Sequence, residues 1–224
     1  MIKEILHFAL HAPRTLAMKR KLTHVELFEA LMLRAEEAGL AEWRAALVRD
    51  VKGRVLEIGC GTGFMFSHYT NHTELTALEL AGDFLEIAKT RAAEATIPIR
   101  LFQGDAQTLP FRNATFEFVV IGHVLCSVAS VGKALGEVKR VLKQGGEVRL
   151  MEHVRSHKPL NGLVMDMLNP VWLALNNQGC NMNRRTESLL QENGFVLQEV
   201  ESFKTFTPGL PAFPNRWIRA VPAD

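Results

Sequence analysis

Val55-Leu56-Glu57-Ile58-Gly59-Cys60-Gly61-Thr62-Gly63 joins a short apolar run to a loop with glycine at every second position. Such a run reads as a strand that ends in a strand-to-helix turn. Glycine suits that turn because it permits positive φ and lets a ligand approach the backbone. In a doubly wound sheet, ligands bind in the crevice at the carboxyl ends of the strands. The dinucleotide pattern G-x-G-x-x-G would need a third glycine at position 64, where Phe64 stands, and no Gly-Lys-Ser/Thr follows to make a phosphate loop.

Outward from this loop, short apolar runs alternate with helical segments. A helix is expected over Phe64–Tyr69, a strand over Leu75–Leu80, a helix over Asp83–Ala95 and a strand over Ile99–Gln103. A fourth strand covers 116–122, a helix Val131–Leu142, and a fifth strand Glu147–Glu152 follows the Gly145-Gly146 turn. That rhythm predicts an α/β fold with a doubly wound, mostly parallel sheet. Residues 155–182, with Pro159 and Pro170, break the rhythm. Thr186 is placed to cap a helix that stops at Asn193-Gly194. Phe195–Phe203 and about Pro214–Val221 then read as an antiparallel C-terminal hairpin, which brings the sheet to seven strands.

The first fifty residues contain no strand and read as a helical cover. Ile2, Ile5, Leu6, Ala9 and Leu10 make one apolar face, broken at Pro13, and residues 23–49 continue as helix punctuated at Gly39. Residues 1–50 are therefore taken as part of the same domain as 51–224, with 155–182 as an acceptor-site insertion.

With these motifs in place, the chain resembles the class I S-adenosylmethionine-dependent methyltransferases from about residue 50 to 222. The likeness implies a Rossmann-like fold and S-adenosylmethionine as cofactor, with S-adenosylhomocysteine as product. It further implies that Glu57, Gly59, Cys60, Gly61 and Gly63 form the cofactor loop. Glu79, ending the second strand 16 positions after Gly63, is implied to hold the ribose hydroxyls. Asp105 and Ala106 in Gly104-Asp105-Ala106 would meet the adenine, with Leu80 and Phe84 packing the adenosine. Gln144 stands where the family usually has proline. A narrower likeness rests on Val124-Leu125-Cys126-Ser127-Val128, Met151-Glu152-His153-Val154, Asn169-Pro170-Val171-Trp172 and Gly179-Cys180-Asn181. These resemble a subgroup of quinone-methyltransferase-like bacterial proteins and membrane-associated animal enzymes that methylate alkyl thiols.

A sulfonium already activates its methyl group, so the protein must chiefly orient the acceptor and exclude water. An acceptor that loses a proton also needs a base. His123, Glu152 and His153 end strands four and five and are the expected catalytic residues; His123 alternatively forms a wall beside the cofactor. Trp172, Met165, Met167 and Leu168 either line an acceptor pocket or pack in the core. The expected reaction is methyl transfer to a small, fairly apolar acceptor, a thiol first. The alternatives are a lipid-linked quinone ring or phospholipid amine, and a cofactor-binding module without catalysis.

Composition narrows the partners. The 224 residues carry 26 Lys+Arg against 24 Asp+Glu, so no basic domain argues for nucleic acid. Residues 1–21 hold five Lys/Arg against one Glu, which with the apolar face keeps peripheral contact with an anionic membrane surface open. Three widely spaced cysteines make neither a disulfide framework nor a CxxC-type site, so no metal is expected and Cys126 and Cys180 read as buried packing. No run approaches a membrane span and no signal peptide stands out, so the expected location is cytoplasmic. Oligomeric state stays open.

Overall fold

The computed structural model describes residues 17–19, 21–176, 179–208 and 212–223. The proposed N-terminal apolar helix over Ile2–Leu10 lies outside them.

Seven strands form one sheet: β1 (Gly53–Ile58), β2 (Thr73–Glu79), β3 (Ile99–Gln103), β4 (Phe116–Gly122), β5 (Leu142–His153), β6 (Phe195–Phe203) and β7 (Asn215–Pro222). Their order is β3-β2-β1-β4-β5-β7-β6. The first five pair in parallel, and β7 runs antiparallel to both β5 and β6. The strand order reverses between β1 and β4, which opens a crevice at the carboxyl end of β1. The expected fold class, with its C-terminal hairpin, is the one observed.

Alternate side chains of the central strands face opposite ways. Leu56, Val119 and Leu150 pack under α4 (Val131–Val141) with Leu135 and Val138. Val55, Val120 and Met151 face the other way, onto α2 (Ala41–Val48), where Leu47 and Val48 are fully buried. Neither face is left to water, which explains why these strands read as continuous apolar runs.

The helical cover is α1 (His24–Ala35) and α2, joined by a π turn at Glu36–Leu40 where Gly39 adopts φ 99°. Thr23 and Glu26 cap α1 reciprocally. Arg91 on α3 (Gly82–Glu94) binds the cover to the glycine loop: it donates to both Glu29 carboxylate oxygens and, at 2.8 Å, to the Thr62 carbonyl. Trp43 stacks on Phe203 at 4.2 Å, which fixes the cover's other end on β6.

Three expectations change. Phe64–Tyr69 is only a 3-10 turn at Phe66–His68, because Phe66 packs beneath Gly63 and Tyr69 turns to an extended backbone. The irregular reading of 155–182 gives way to a 17-residue helix, α5 (Pro159–Leu175). Pro159 sits in its first turn, where a missing N–H does no harm, and Pro170 is tolerated inside it. Thr186 is the first residue of α6 (Thr186–Glu192) rather than its cap; Arg185 holds that position, and the buried Thr186 hydroxyl has no hydrogen-bond partner.

Candidate active site

A cavity of about 600 Å³ opens at the carboxyl ends of β1, β2, β4 and β5. The glycine loop forms its floor. Gly59, Gly61 and Gly63 have φ of 67°, 56° and 90°, a region that strains other residues. A Cβ on Gly59 would stand 2.3 Å from Val124, and one on Gly63 2.6 Å from the Phe66 ring. At Gly61 a Cβ would meet only the Phe28 ring, at 3.6 Å, so there the missing side chain leaves space in the cavity itself.

Glu79 closes one side. Its carboxylate accepts N–H groups from Gly61 at 2.9 Å, Leu80 at 2.8 Å and Ala81 at 3.0 Å. A carboxylate offers roughly four acceptor sites, so one remains for a hydroxyl without displacing these bonds. Beside it Leu80 is 64% exposed and gives the cavity an apolar wall. Asp105 accepts from the Gln107 backbone at 2.8 Å and from its side chain, with acceptor capacity left on Oδ2. Ala106 lines the wall beside it, and Phe84 packs against His24 and Phe28 of the cover.

Glu57 and Gly63 do not line the cavity. Glu57 lies behind the loop, 3% exposed, and accepts the Tyr69 hydroxyl at 3.0 Å. Burial raises its carboxyl to about pKa 7, although Tyr69 and nearby Arg44 favour the charged form. Arg44 was not singled out from sequence. It comes from the cover, pairs with Glu36 at 2.7 Å and lines the cavity near the loop. No motif marks it, since it reaches the site from a segment with no strand.

The other end of the cavity gathers His123, His153, Cys126, Cys180, Trp172, Phe213 and Asn215. His123 sits at φ 59°, a strained turn after β4 held by its N–H to the Met151 carbonyl at 2.7 Å. Its Nε2 lies 2.9 Å from Asn215 Oδ1, while Asn215 Nδ2 donates to the Phe213 carbonyl. That orients the amide so that Nε2 carries the hydrogen and Nδ1 keeps its lone pair. Burial, then the neighbouring His153, holds its pKa well below the usual 6.5, so the ring is neutral. The two imidazoles stand 4.4 Å apart.

Glu152 is elsewhere than expected of a base. It is fully buried, does not line the cavity, and accepts the backbone N–H groups of Val124 at 2.7 Å, Leu125 at 2.9 Å and Cys126 at 3.3 Å. Burial outweighs those bonds and raises it to about pKa 7. It shapes the turn that carries His123 and Cys126.

The two cysteines, read as packing, face each other across this end. No Lys or Arg adjoins them, but Cys180 Sγ lies 3.5 Å from His153 Nδ1. The neighbouring Cys126 thiol and the His153 imidazole at 3.5 Å hold the Cys180 thiol below its usual range, against its burial. The neighbouring Cys180, then burial, push the Cys126 thiol up.

Among known proteins, a methyltransferase-domain family model matches residues 56–150, which hold the glycine loop, Glu79 and Asp105. That span carries a methyltransferase domain, and the fold and cofactor-loop motifs support a class I S-adenosylmethionine-dependent methyltransferase. A demethylmenaquinone methyltransferase of Staphylococcus aureus is 28% identical over 186 residues, 72% of this chain and 77% of that one. Two solved structures share the fold. An S-adenosylmethionine-dependent methyltransferase of Mesorhizobium loti has TM-score 0.61 and 19% identity, covering 81% of this chain and 98% of its own. The [4+2]-cyclase SpnF has TM-score 0.64 and 16% identity, covering 84% and 81%. This methyltransferase has, among its described residues, no helix long and apolar enough to cross a membrane.

The residues present fit S-adenosylmethionine: the space at Gly61, the spare acceptor capacity on Glu79 and Asp105, and exposed Leu80 suit a nucleoside with vicinal hydroxyls. Arg44 lines the cavity beside the loop and offers a cation there, while Glu57 lies behind the loop and reaches no cavity surface.

Proposed function

We propose that the enzyme methylates a small, fairly apolar acceptor bearing an acidic S–H or O–H, a thiol first. The observation that carries this is neutral His123, half-buried in the cavity wall beside Phe213 and Trp172 with Nε2 committed to Asn215. S-adenosylmethionine supplies a sulfonium-bound methyl open to in-line displacement. His123 Nδ1 takes the acceptor proton while Asn215 keeps the opposite nitrogen paired. Trp172 and Phe213, 5.1 Å apart edge to face, exclude water from that end. We propose Glu57, Gly59, Cys60, Gly61, Gly63, Glu79, Leu80, Phe84, Asp105 and Ala106 as the cofactor residues, with Arg44 added for a carboxylate. His123 and His153 are proposed at the acceptor, and Glu152 as their positioning residue.

A lipid-linked ring hydroxyl is the second reading, favoured by one feature. Helix α5, whose Trp172 lines the cavity, presents Leu160, Leu163, Val164, Met167, Leu168, Val171 and Leu175 to solvent, each 37–71% exposed. A continuous apolar face of this kind marks an interaction site. Lys19 Nζ donates to the Leu175 carbonyl at 2.9 Å, which sets one basic side chain at its end. Apolar face and basic flank together suit an anionic lipid surface. The S. aureus relative's name, a menaquinone-precursor methyltransferase, agrees with this reading.

Labelled methyl donor offered to alkyl and aryl thiols, phenols, amines and lipid extracts separates the readings. Methylated thiol is the expected product. Product from lipid extract alone moves the assignment to the second reading, and bound S-adenosylmethionine without any turnover would leave a binding module.

A further inference from the structure

Cys126, His153 and Cys180 come from three separate parts of the chain: the turn after β4, the end of β5 and the loop after α5. Their two Sγ atoms and one imidazole nitrogen lie within 4.8 Å of one another, and all three residues line the cavity. Around tetrahedral Zn²⁺, with Zn–S about 2.3 Å and Zn–N about 2.05 Å, an S···N edge is about 3.5 Å and an S···S edge about 3.8 Å. The Cys180 Sγ to His153 Nδ1 distance is 3.5 Å, already that edge.

We propose that Cys126, His153 and Cys180 form a binding site for a soft divalent cation, Zn²⁺ by their chemistry, with a fourth position turned towards the cavity. Two sulfurs and an imidazole are the ligand set that selects such an ion over Mg²⁺ or Ca²⁺. Three protein ligands with one open position is the pattern of a reactive rather than a closed structural site.

The surrounding framework holds the sulfurs where a packing role would not require it. Asn181 donates both its backbone N–H and its side-chain amide to the Cys126 carbonyl, at 2.8 and 3.0 Å. Asn176 brackets Cys180 from both sides, accepting its N–H at 2.8 Å and donating to its carbonyl at 3.1 Å. Asn169 joins Asn181 to Met182. The asparagines flanking Trp172 and Cys180 thereby press one cysteine loop against the other. Wide spacing along the chain hid this cluster, because no two of its members lie on one local segment. The assignment is independent of which acceptor the enzyme uses.

The test uses the full chain, reduced and stripped with chelator, then loaded with Zn²⁺ or Co²⁺ and dialysed. One retained ion per chain is expected, with a thiolate-to-Co²⁺ charge-transfer band. Cys126→Ser and Cys180→Ser should each remove the band and weaken retention by more than about tenfold, at least what an outer partner of a metal ligand is worth. Calorimetric binding of S-adenosylhomocysteine shows that each variant is folded. Should either serine variant fail that check, His153→Gln, a partly exposed position, replaces it with the same expected loss. Zn²⁺ uptake no greater than in the variants, or Co²⁺ bound without the band, overturns the site. So does a reduced chain that oxidises to a Cys126–Cys180 disulfide and retains no metal.

Discussion

His123 and Asn215, 92 positions apart in sequence, meet at 2.9 Å because β7 returns antiparallel to β5 and sets Asn215 opposite His153. The bond decides which imidazole nitrogen keeps its lone pair, and so whether the ring can take a proton from an acceptor. Asn215→Leu should therefore lower turnover by about 100-fold, the lower end of general-base contributions. S-adenosylhomocysteine affinity should stay within twofold by calorimetry. His123→Ala should show the same split. Equal losses in rate and affinity would make the pair a cofactor wall.

Glu79 organises the glycine loop as well as facing the nucleoside. Glu79→Ala strands the N–H groups of Gly61, Leu80 and Ala81 and removes the hydroxyl acceptor. S-adenosylhomocysteine binding should weaken by about 1–3 kcal/mol. Glu79→Gln, which keeps one oxygen, should lose less. Unchanged calorimetric affinity in both would place the ribose elsewhere.

Glu57 predicts a pH dependence of the ligand-free protein. Its carboxyl titrates near 7 when folded and near the ordinary 4.5 when unfolded, so between those values the folded state holds a proton that the unfolded state has lost. Stability then falls as pH rises from about 4.5 to 7 and levels off above, by on the order of 3 kcal/mol for this group. Urea unfolding at pH 5 and pH 8 should show that loss, reduced in Glu57→Gln. A variant with an identical pH slope would assign the effect to another group, Glu152 first, since it is raised in the same way.

That the glycine loop, Glu79 and Asp105 stand at the carboxyl ends of strands was legible because each belongs to one strand end and one local turn, and none depends on what packs later. The sheet was legible for the same reason. What escaped was set by tertiary pairing. Asn215 acquires its role from the β5–β7 register, Arg44 from the docking of the cover, and the Cys126–Cys180 approach from three asparagine clamps. Glu152 looked like a strand-end base, yet its depth turns it to three backbone N–H groups. The helix over Pro159–Leu175 was masked by two prolines, and its apolar stripe faces outward, opposite to what a core stripe implies.

Glu152 in turn sets a stability prediction. Removing it by Glu152→Ala leaves three N–H groups without their acceptor, two of them on the buried residues Leu125 and Cys126, at about 1–3 kcal/mol for each buried one. A fall in melting temperature beyond about 5 °C is expected, well above that of a surface Glu→Ala change. Glu152→Gln should recover part of it. A melt unchanged in Glu152→Ala would show that the turn holds itself.

The exposed face of α5 makes the last prediction, and it bears on the acceptor. Met167 is 71% exposed and Val171 57%, so a double change to glutamate alters the surface without touching the core. If the face meets lipid, the wild-type chain should co-sediment with phosphatidylcholine vesicles containing phosphatidylglycerol and less with phosphatidylcholine alone, because the basic residues at 19–21 add an electrostatic share. Raised salt should weaken that share and leave the apolar part. Met167→Glu/Val171→Glu should abolish co-sedimentation and keep S-adenosylhomocysteine affinity and thiol turnover, because both side chains point away from the cavity. Turnover on vesicle-borne acceptors should fall with sedimentation if lipid delivery matters. Vesicle binding identical in the variant would remove α5 from the membrane contact, and absence of binding in the wild type would remove the contact itself.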